Sequence, residues 1–432
     1  MLKKARIFLV AALVFVASIT PAFANNLNAD GALLAVSEDS PAQATISKIL
    51  QLPIGTQTPQ LSFHFQARKI SVDERNTPAD LDTMPALNGA ALEVSFGPAD
   101  VDTTSPAPST LSIPKETGNL FSGVTFPHAG VYVYEISEIA DTNTDIDTAG
   151  NTQLYYSQAS YTLTAYVANH SNGGTYVYAV GVRIEENDLG QAADGKVDPT
   201  PGGDGEKYFY SQMIFTNAYV ETNGPTDPEK PDPANESTLF VSKTVAGDFG
   251  DKTQYFNFSM DLSAPDLLRD VPAYYRAYVV ENGAVVADLA GNAQAGLLGS
   301  DPGGAYIKIS TSGETSFQLR HGQRLVFVDT PVGTSYNVNQ AAATHYTPSF
   351  IITTNGVAGA NTPGTMSNPL ATGMQLVGTQ DNSAAFTNTR DSVTPTGLNL
   401  NDVPFILMIA LALGALVTIV VVKARKRSQE SQ

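Results

Sequence analysis

Cysteine is absent from all 432 residues of this chain, so a covalent crosslink in its fold would have to use other side chains. Basic residues are also scarce. The 24 Lys and Arg residues stand against 42 Asp and Glu residues, which gives a formal net charge of −18 at neutral pH. This balance argues against nucleic acid or anionic lipid as a partner and favours a well-solvated surface.

Long amphipathic helices are missing as well, and the chain is rich in Thr, Val, Tyr, Phe, Gly, Pro and Asn. Strands and turns favour these residues, so the composition predicts an all-β fold. An apolar segment near the start, residues 7–19, follows three basic residues and precedes Ala22-Phe23-Ala24. This order is typical of a secretory signal peptide, which we predict at residues 1–24.

A second apolar segment lies near the other end, at residues 403–422, and the basic tail 423–432 follows it. About twenty apolar residues in a helix are enough to cross the hydrocarbon core of a membrane. Basic residues next to such a segment favour the cytoplasmic side. We therefore expect a single transmembrane helix here, with the preceding chain outside the cell.

Between these ends, alternating apolar residues and turn-rich segments predict two domains. The first covers residues 25–219, a Pro-rich linker covers 220–236, and the second domain covers 237–390. Strands of the first domain are predicted at residues 61–65, 131–136, 161–167, 176–184 and 213–215. We interpret the acidic run 185–188 as a solvated turn and residues 190–196 as a loop.

The second domain repeats motifs of the first. Each domain opens with a strand that carries a lysine, Lys48 or Lys243, and continues with a Phe-x-Phe strand. Each closes with Phe-Thr-Asn, which ends at Asn217 or Asn388. The repeat predicts two tandem β-sandwiches of immunoglobulin-like type.

The chain resembles the Gram-positive sortase-assembled major pilins in these motifs and in their order. It also resembles them in residues 130–138 and in a Thr-Gly pentapeptide before the C-terminal apolar segment. The chain resembles the two-domain streptococcal major pilin in particular. The resemblance implies CnaB-like sandwiches that form intramolecular Lys–Asn isopeptide bonds, and it covers nearly the whole region between the two apolar segments.

For the first domain, the resemblance implies that Lys48 is the nucleophile, Asn217 the electrophile and Glu138 the acid. Burial favours a neutral amine and a neutral acid, and the acid would polarise the amide carbonyl and relay the proton. Glu135 competes for the acid role, but strand alternation places it on the opposite face. The alternative is a buried Lys–Glu ion pair beside a strand-end Asn.

The second domain departs from this pattern. Lys243 and Asn388 are present, but Gln340 stands at the position of the acid. A Gln amide donates hydrogen bonds but does not relay a proton at neutral pH. We therefore expect the second isopeptide bond to be absent or incomplete.

The pentapeptide resembles a sortase signal, although its first two residues depart from the common Leu-Pro-x-Thr-Gly form. A sortase cysteine would attack the carbonyl of Thr396 and release Gly397 with the helix. The alternative is an ordinary single-pass anchor. The motif consists of Val393, Thr394, Pro395, Thr396 and Gly397.

Polymerisation would need a further lysine that accepts Thr396 of the next subunit. We predict Lys207 for this role, with Lys196 and Lys230 as the alternatives. The implied partners are sortase, copies of the chain itself, minor pilins and peptidoglycan. A monomeric wall-anchored adhesin or a pilus base subunit is the alternative function. We expect no cofactor or metal site, and no enzymatic activity beyond self-crosslinking.

Overall fold

The computed structural model describes eight segments of the chain. The predicted signal peptide, the pentapeptide 393–397, Lys207 and Lys230 lie outside the described residues. The described segments are residues 26–27, 33–34, 36–102, 110–143, 152–201, 213–222, 231–391 and 403–429.

The first β-sandwich consists of a six-stranded sheet packed against a four-stranded sheet. The strand order is β11-β10-β9-β7-β4-β5 in the larger sheet and β6-β3-β12-β8 in the smaller one. A short hairpin precedes them, and α1 (Pro78–Thr83) and a 3-10 turn (Gly89–Leu92) lie between β4 and β5. The strands are β1 (Asn26–Leu27), β2 (Leu33–Leu34), β3 (Ile46–Pro53), β4 (Leu61–Val72), β5 (Glu93–Phe96), β6 (Thr110–Glu116), β7 (Gly130–Ile139), β8 (Thr152–Tyr155), β9 (Ser160–Asn169), β10 (Thr175–Glu186), β11 (Ala192–Val197) and β12 (Met213–Glu221).

The second β-sandwich also has two sheets, with the orders β17-β18-β15-β20-β13-β27-β22-β23 and β19-β14-β21-β25. Three short strands lie off these orders, β16 paired with β15, β24 with β22 and β26 with β21, and a 3-10 turn covers Ala295–Leu297. The strands are β13 (Leu239–Ala246), β14 (Phe256–Ser263), β15 (Tyr274–Glu281), β16 (Ala284–Val285), β17 (Leu298–Asp301), β18 (Gly304–Ser310), β19 (Thr315–Leu319), β20 (Gln323–Phe327), β21 (Ser335–Gln340), β22 (Thr347–Thr354), β23 (Val357–Ala358), β24 (Thr362–Pro363), β25 (Leu370–Ala371), β26 (Gln375–Leu376) and β27 (Ser383–Thr389).

Alternating side chains build a separate hydrophobic core in each sandwich. In β9, every second residue from Tyr161 to Val167 is buried, and the residues between them are less buried. The two-residue period of a strand directs one set inwards, where each large apolar side chain contributes about 1.5–3 kcal/mol. The predicted all-β fold of two tandem sandwiches is confirmed.

The first and last strands of each sandwich lie side by side and run parallel. Strand β3 pairs with β12 so that Lys48 is the partner of Phe215. Strand β13 pairs with β27 so that Lys243 is the partner of Phe386. In both sandwiches the Asn of Phe-Thr-Asn therefore lies two residues beyond the partner of the lysine, with its side chain on the same face of the sheet.

Of two local expectations for the first sandwich, one was wrong and one held only in part. Residues 192–197 are not a loop but the edge strand β11, in which Lys196 pairs with Arg183. The acidic run is a solvated turn only in part, with Glu185 and Glu186 exposed. Its first two residues belong to β10, and Asp188 is half-buried and binds the turn to β12. Backbone pairing around a β-bulge extends the hairpin further than the turn residues indicated.

The C-terminal helix α2 (Val403–Gln429) is longer than the predicted apolar segment. By length and composition alone, the segment Val403–Arg427 of this helix could span a membrane. The helix continues through the basic cluster because Lys, Ala and Arg are good helix formers and no Pro or Gly interrupts them.

Candidate functional site

Three polar side chains meet in the core of the first sandwich. Lys48 on β3 and Asn217 on β12 come from the small sheet, and Glu138 on β7 reaches them from the facing sheet. Lys48 and Asn217 have no exposed surface, and the side chains of Lys48 and Glu138 are both 0% exposed. The structure thus brings together the three residues that the resemblance implied.

Glu138 contacts both of the other side chains. Lys48 Nζ lies 2.8 Å from each carboxylate oxygen of Glu138. Asn217 Nδ2 donates to Glu138 Oε1 over 2.7 Å. The amine nitrogen and the amide nitrogen therefore share one carboxylate oxygen, which is the arrangement that a proton relay between them needs.

Aromatic rings exclude water from this cluster. Lys48 Nζ lies 4.4 Å from the ring centre of Phe63 and 5.9 Å from that of Phe65. Burial lowers the pKa of Lys48 to about 8, against the opposing effect of the Glu138 charge. Burial also raises the pKa of Glu138, although Lys48 and Asn217 oppose this. Both shifts favour the neutral forms, and a neutral amine has the lone pair that a nucleophile needs.

The carbonyl oxygen of Asn217 has a partner outside the Lys–Glu pair. It accepts a hydrogen bond of 2.8 Å from the backbone N–H of Ser157. Because a backbone N–H only donates, this contact fixes which amide atom is oxygen. In this geometry Glu138 contacts the amide nitrogen, so the expectation that the acid polarises the carbonyl stays a prediction.

Glu135 lies on the outer face of the same strand. It pairs with Arg68 of β4, with Arg68 Nη2 2.5 Å from Glu135 Oε2, and the two side chains are 34% and 60% exposed. This alternate candidate for the acid role is thus separated from Lys48 by the sheet itself.

The second sandwich reproduces the same cluster with one chemical change. Gln340 is the register partner of Phe258, just as Glu138 is the partner of Phe65. Lys243 Nζ lies 4.4 Å from the ring centre of Phe256 and 5.9 Å from that of Phe258, the same distances as in the first sandwich.

In this second cluster, Lys243 Nζ donates to two amide oxygens. Gln340 Oε1 lies 2.9 Å away and Asn388 Oδ1 lies 2.6 Å away. Burial lowers the pKa of Lys243 to about 6. Gln340 Nε2 and Asn388 Nδ2 are buried and have no hydrogen-bond partner within the described part of the chain. Burial thus favours a neutral amine in this cluster, but among the described residues no group is placed to pass a proton to the amide nitrogen.

Of the three lysines considered as acceptors in polymerisation, the structure describes one. Lys196 is exposed on the edge strand β11. Lys207 and Lys230 lie outside the described residues, as does the whole pentapeptide 393–397.

Two residues beside the first cluster escaped the sequence interpretation. Ser157 lies in the turn between β8 and β9, and Asp188 in the turn between β10 and β11. Ser157 Oγ donates to Asp188 Oδ1 over 2.5 Å. Neither residue belongs to a strand motif, so periodicity gave no signal for them. The acidic run around Asp188 was visible but was assigned to solvent.

Comparisons with known proteins find similarity to a domain family and to a pilus protein. The family model that matches residues 237–390 is described as a domain of unknown function, DUF7601. A stretch of 193 residues, which is 44% of this chain, is 27% identical to the pilus tip adhesin Cpa of Streptococcus pyogenes. The chain spans only 22% of the length of that relative.

Solved structures of pilus proteins are also similar. The major pilin of Streptococcus pyogenes is 20% identical, with a TM-score of 0.30 over 82% of this chain and 99% of that one. The major pilin T3.2 of the same species is 18% identical, with a TM-score of 0.28 over 83% of this chain and 100% of that one. The resemblance to Gram-positive pilus proteins is confirmed by the sequence match to Cpa.

Proposed function

We propose that this chain is the backbone subunit of a covalently polymerised cell-surface pilus, and that its first sandwich crosslinks itself through a Lys48–Asn217 isopeptide bond. The observation that carries the crosslink is the buried cluster in which Glu138 Oε1 contacts both the amine of Lys48 and the amide nitrogen of Asn217. The bond would replace the disulfides that a chain without cysteine lacks.

The reaction follows from the contacts. The neutral amine of Lys48 attacks the side-chain carbonyl carbon of Asn217 and forms the new C–N bond, while the carbonyl electrons move to Oδ1. Neutral Glu138 delivers its proton to Nδ2, and the carboxylate that results takes a proton from Nζ. The C–Nδ2 bond then breaks, ammonia leaves, and Glu138 regains its starting protonation state. No co-reactant is needed, and the chain acts on itself as a single-turnover catalyst.

The position of the Lys48–Asn217 bond would let it carry mechanical load. It joins the first and last strands of the sandwich and closes a loop of 217 − 48 = 169 residues. By analogy with a disulfide, such a loop stabilises the folded state by about 5 kcal/mol. The force on a pilus shaft would then pass from β3 to β12 through a covalent bond, because these strands are neighbours.

The assembly role rests on the pilus relatives and on the C-terminal sequence. In this proposal sortase cleaves after Thr396, and Lys207 of the neighbouring subunit accepts the new carboxyl end, with Lys196 and Lys230 as the other candidates. Minor pilins and peptidoglycan would be the remaining partners, and α2 would hold the precursor in the membrane. The match to a pilus tip adhesin favours one alternative, an anchored adhesin or base subunit without an acceptor lysine.

Mass spectrometry of the full chain tests the crosslink. We expect a mass deficit of one ammonia, and a proteolytic peptide in which the segments around Lys48 and Asn217 are joined. The Glu138→Ala variant should show neither. A full chain with no mass deficit would contradict the proposed bond and leave a buried ion pair.

A separate experiment tests polymerisation. The full chain is incubated with the sortase of its own pilus system, and covalent multimers are resolved under denaturing conditions. We expect a ladder that the Lys207→Arg variant abolishes, whereas Lys196→Arg and Lys230→Arg keep it. Attachment of single chains to the wall without any ladder would favour the adhesin alternative.

A further inference from the structure

We propose that the backbone N–H of Ser157 is the oxyanion donor of the crosslinking reaction, and that Asp188 is the positioning residue which holds this N–H in place. This inference rests on the proposed isopeptide function and adds two residues to it. Attack on the amide puts negative charge on Asn217 Oδ1, so a donor already aimed at that atom lowers the barrier.

The contact has the geometry that the role requires. The N–H of Ser157 donates to Asn217 Oδ1 over 2.8 Å, and Ser157 is buried. The same N–H also lies 3.2 Å from Glu138 Oε2, which is the weaker of its two contacts. In a buried site of low dielectric constant, a fixed backbone dipole stabilises a developing oxyanion without reorganisation.

The fold explains why residue 157 reaches this oxygen. Strand β8 pairs antiparallel with β12 and ends at Tyr155, the partner of Ala218. Two residues further on, the chain passes beside Thr216 and Asn217, but the strand ladder has already stopped. Another group must therefore hold the turn against β12.

Asp188 provides that connection. Its Oδ1 accepts from Ser157 Oγ over 2.5 Å and from the backbone N–H of Thr216 over 2.9 Å. Its backbone carbonyl accepts from the N–H of Gln158 over 3.1 Å. Asp188 thus connects Ser157 and Gln158 of the turn to Thr216 of β12, the strand that carries Asn217. In the second sandwich, Asn388 Oδ1 accepts from the attacking amine Lys243 instead.

The first test removes the backbone N–H of Ser157 and leaves the rest of the residue in place. Cell-free synthesis of the full chain in detergent allows an α-hydroxy acid at position 157, which turns this amide into an ester and removes the donor. The side chain is kept. Formation of the Lys48–Asn217 peptide is followed over time at several pH values after acid quenching. We expect the maximal rate to fall about 100-fold, the usual effect of losing one oxyanion donor, with only a small shift of the pH profile from the lost contact to Glu138.

The pH profile separates this role from an effect through Glu138. If the N–H acted through Glu138 Oε2, its removal would shift the profile and leave the maximal rate near that of the parent chain. That result would overturn the proposal, and so would an unchanged rate. A parent chain that forms no bond would instead contradict the proposed isopeptide function, so the two failures are distinguishable.

Side-chain variants test Asp188 independently. Asp188→Ala removes the acceptor and should slow bond formation at least tenfold. Asp188→Asn keeps an oxygen that accepts from Ser157 and Thr216, so we expect it to restore most of the rate. Because the Asp188 charge raises the pKa of Lys48, the Asn variant should also react at lower pH than the parent. Equal slowing by both variants would overturn the positioning role, provided hydrogen exchange in β9 shows the sandwich to be folded.

Discussion

Glu138 and Gln340 occupy the same place in the two sandwiches, each opposite the second phenylalanine of a Phe-x-Phe strand. Their neighbours are also the same, since each approaches a buried lysine and lies near the Asn of the last strand. The difference between the clusters is therefore chemical. A carboxyl group accepts and returns a proton, whereas a primary amide at neutral pH does not.

This equivalence predicts that Gln340→Glu activates the second cluster. The amine of Lys243 is already buried and its pKa is lowered to about 6, so a carboxyl group is the missing part. We expect the full-length variant to lose one more ammonia than the parent and to give a Lys243–Asn388 crosslinked peptide. Bond formation should be slower than in the first sandwich, because Asn388 Oδ1 accepts from the amine.

Two matched variants control this experiment. Gln340→Glu combined with Asn388→Ala lacks the electrophile and should keep the parent mass deficit. Gln340→Met should behave like the parent chain. If Gln340→Glu folds but gains no crosslink, the absence of the carboxyl group is not what keeps the second cluster unreacted.

The reverse substitution, Glu138→Gln, should stop the first sandwich from reacting. Removing the carboxylate also removes the charge that raises the pKa of Lys48, so that pKa should fall towards the value of Lys243. We expect no crosslinked peptide and an unfolding free energy lower by about 5 kcal/mol.

Chemical denaturation of the full chain, read from probes in the first sandwich, measures this loss. Glu135→Gln is the matched control, because it removes an exposed carboxylate from the same strand. It should keep the crosslink and change stability by less than about 1 kcal/mol. A crosslinked peptide in Glu138→Gln would show that another group relays the proton.

The lowered pKa of Lys243 predicts a pH dependence of stability in the second sandwich. The unfolded lysine titrates near 10.5 and the folded one near 6, so the unfolded chain binds more protons between these values. The unfolding free energy should therefore rise with pH in this window, by at most about 1.4 kcal/mol per pH unit. As the pH falls towards 6, this contribution is lost.

Denaturation midpoints at pH 7, 8 and 9 measure the effect, with Lys243→Met as the control that lacks the titrating group. The difference in stability between the parent and this variant should change with pH in favour of the parent as the pH rises. If the stability of the parent and that of Lys243→Met changed with pH in parallel, the amine of Lys243 would not titrate in this range, as expected if it were already acylated.

The sequence predicted those parts of the molecule that depend on periodicity and on short motifs. Alternating residues such as Tyr161 and Leu163 located strands, and the repeated Lys, Phe-x-Phe and Phe-Thr-Asn motifs located the residues of both clusters. Strand β11 was missed because its small and charged residues carry no apolar alternation. Ser157 and Asp188 were missed because they act from turns, where the position of a backbone N–H depends on tertiary pairing that the sequence does not display.

Mechanical unfolding of single full-length chains separates the two sandwiches by the length each releases. An extended chain gains about 3.4 Å per residue. A crosslink between Lys48 and Asn217 locks 169 residues, so the first sandwich should release none of the roughly 570 Å that this loop would otherwise give. The second sandwich, with 388 − 243 = 145 residues between its lysine and asparagine, should release about 490 Å.

Glu138→Gln should restore the longer step beside the shorter one, and Gln340→Glu should remove the shorter step once its crosslink has formed. These opposite changes come from single substitutions at equivalent positions, so altered sheet hydrogen bonding does not explain them. Two long steps in the parent chain would contradict a covalent link between β3 and β12. A parent chain that extends only in its second sandwich would instead show that one carboxyl group, Glu138, decides which half of the molecule yields under force.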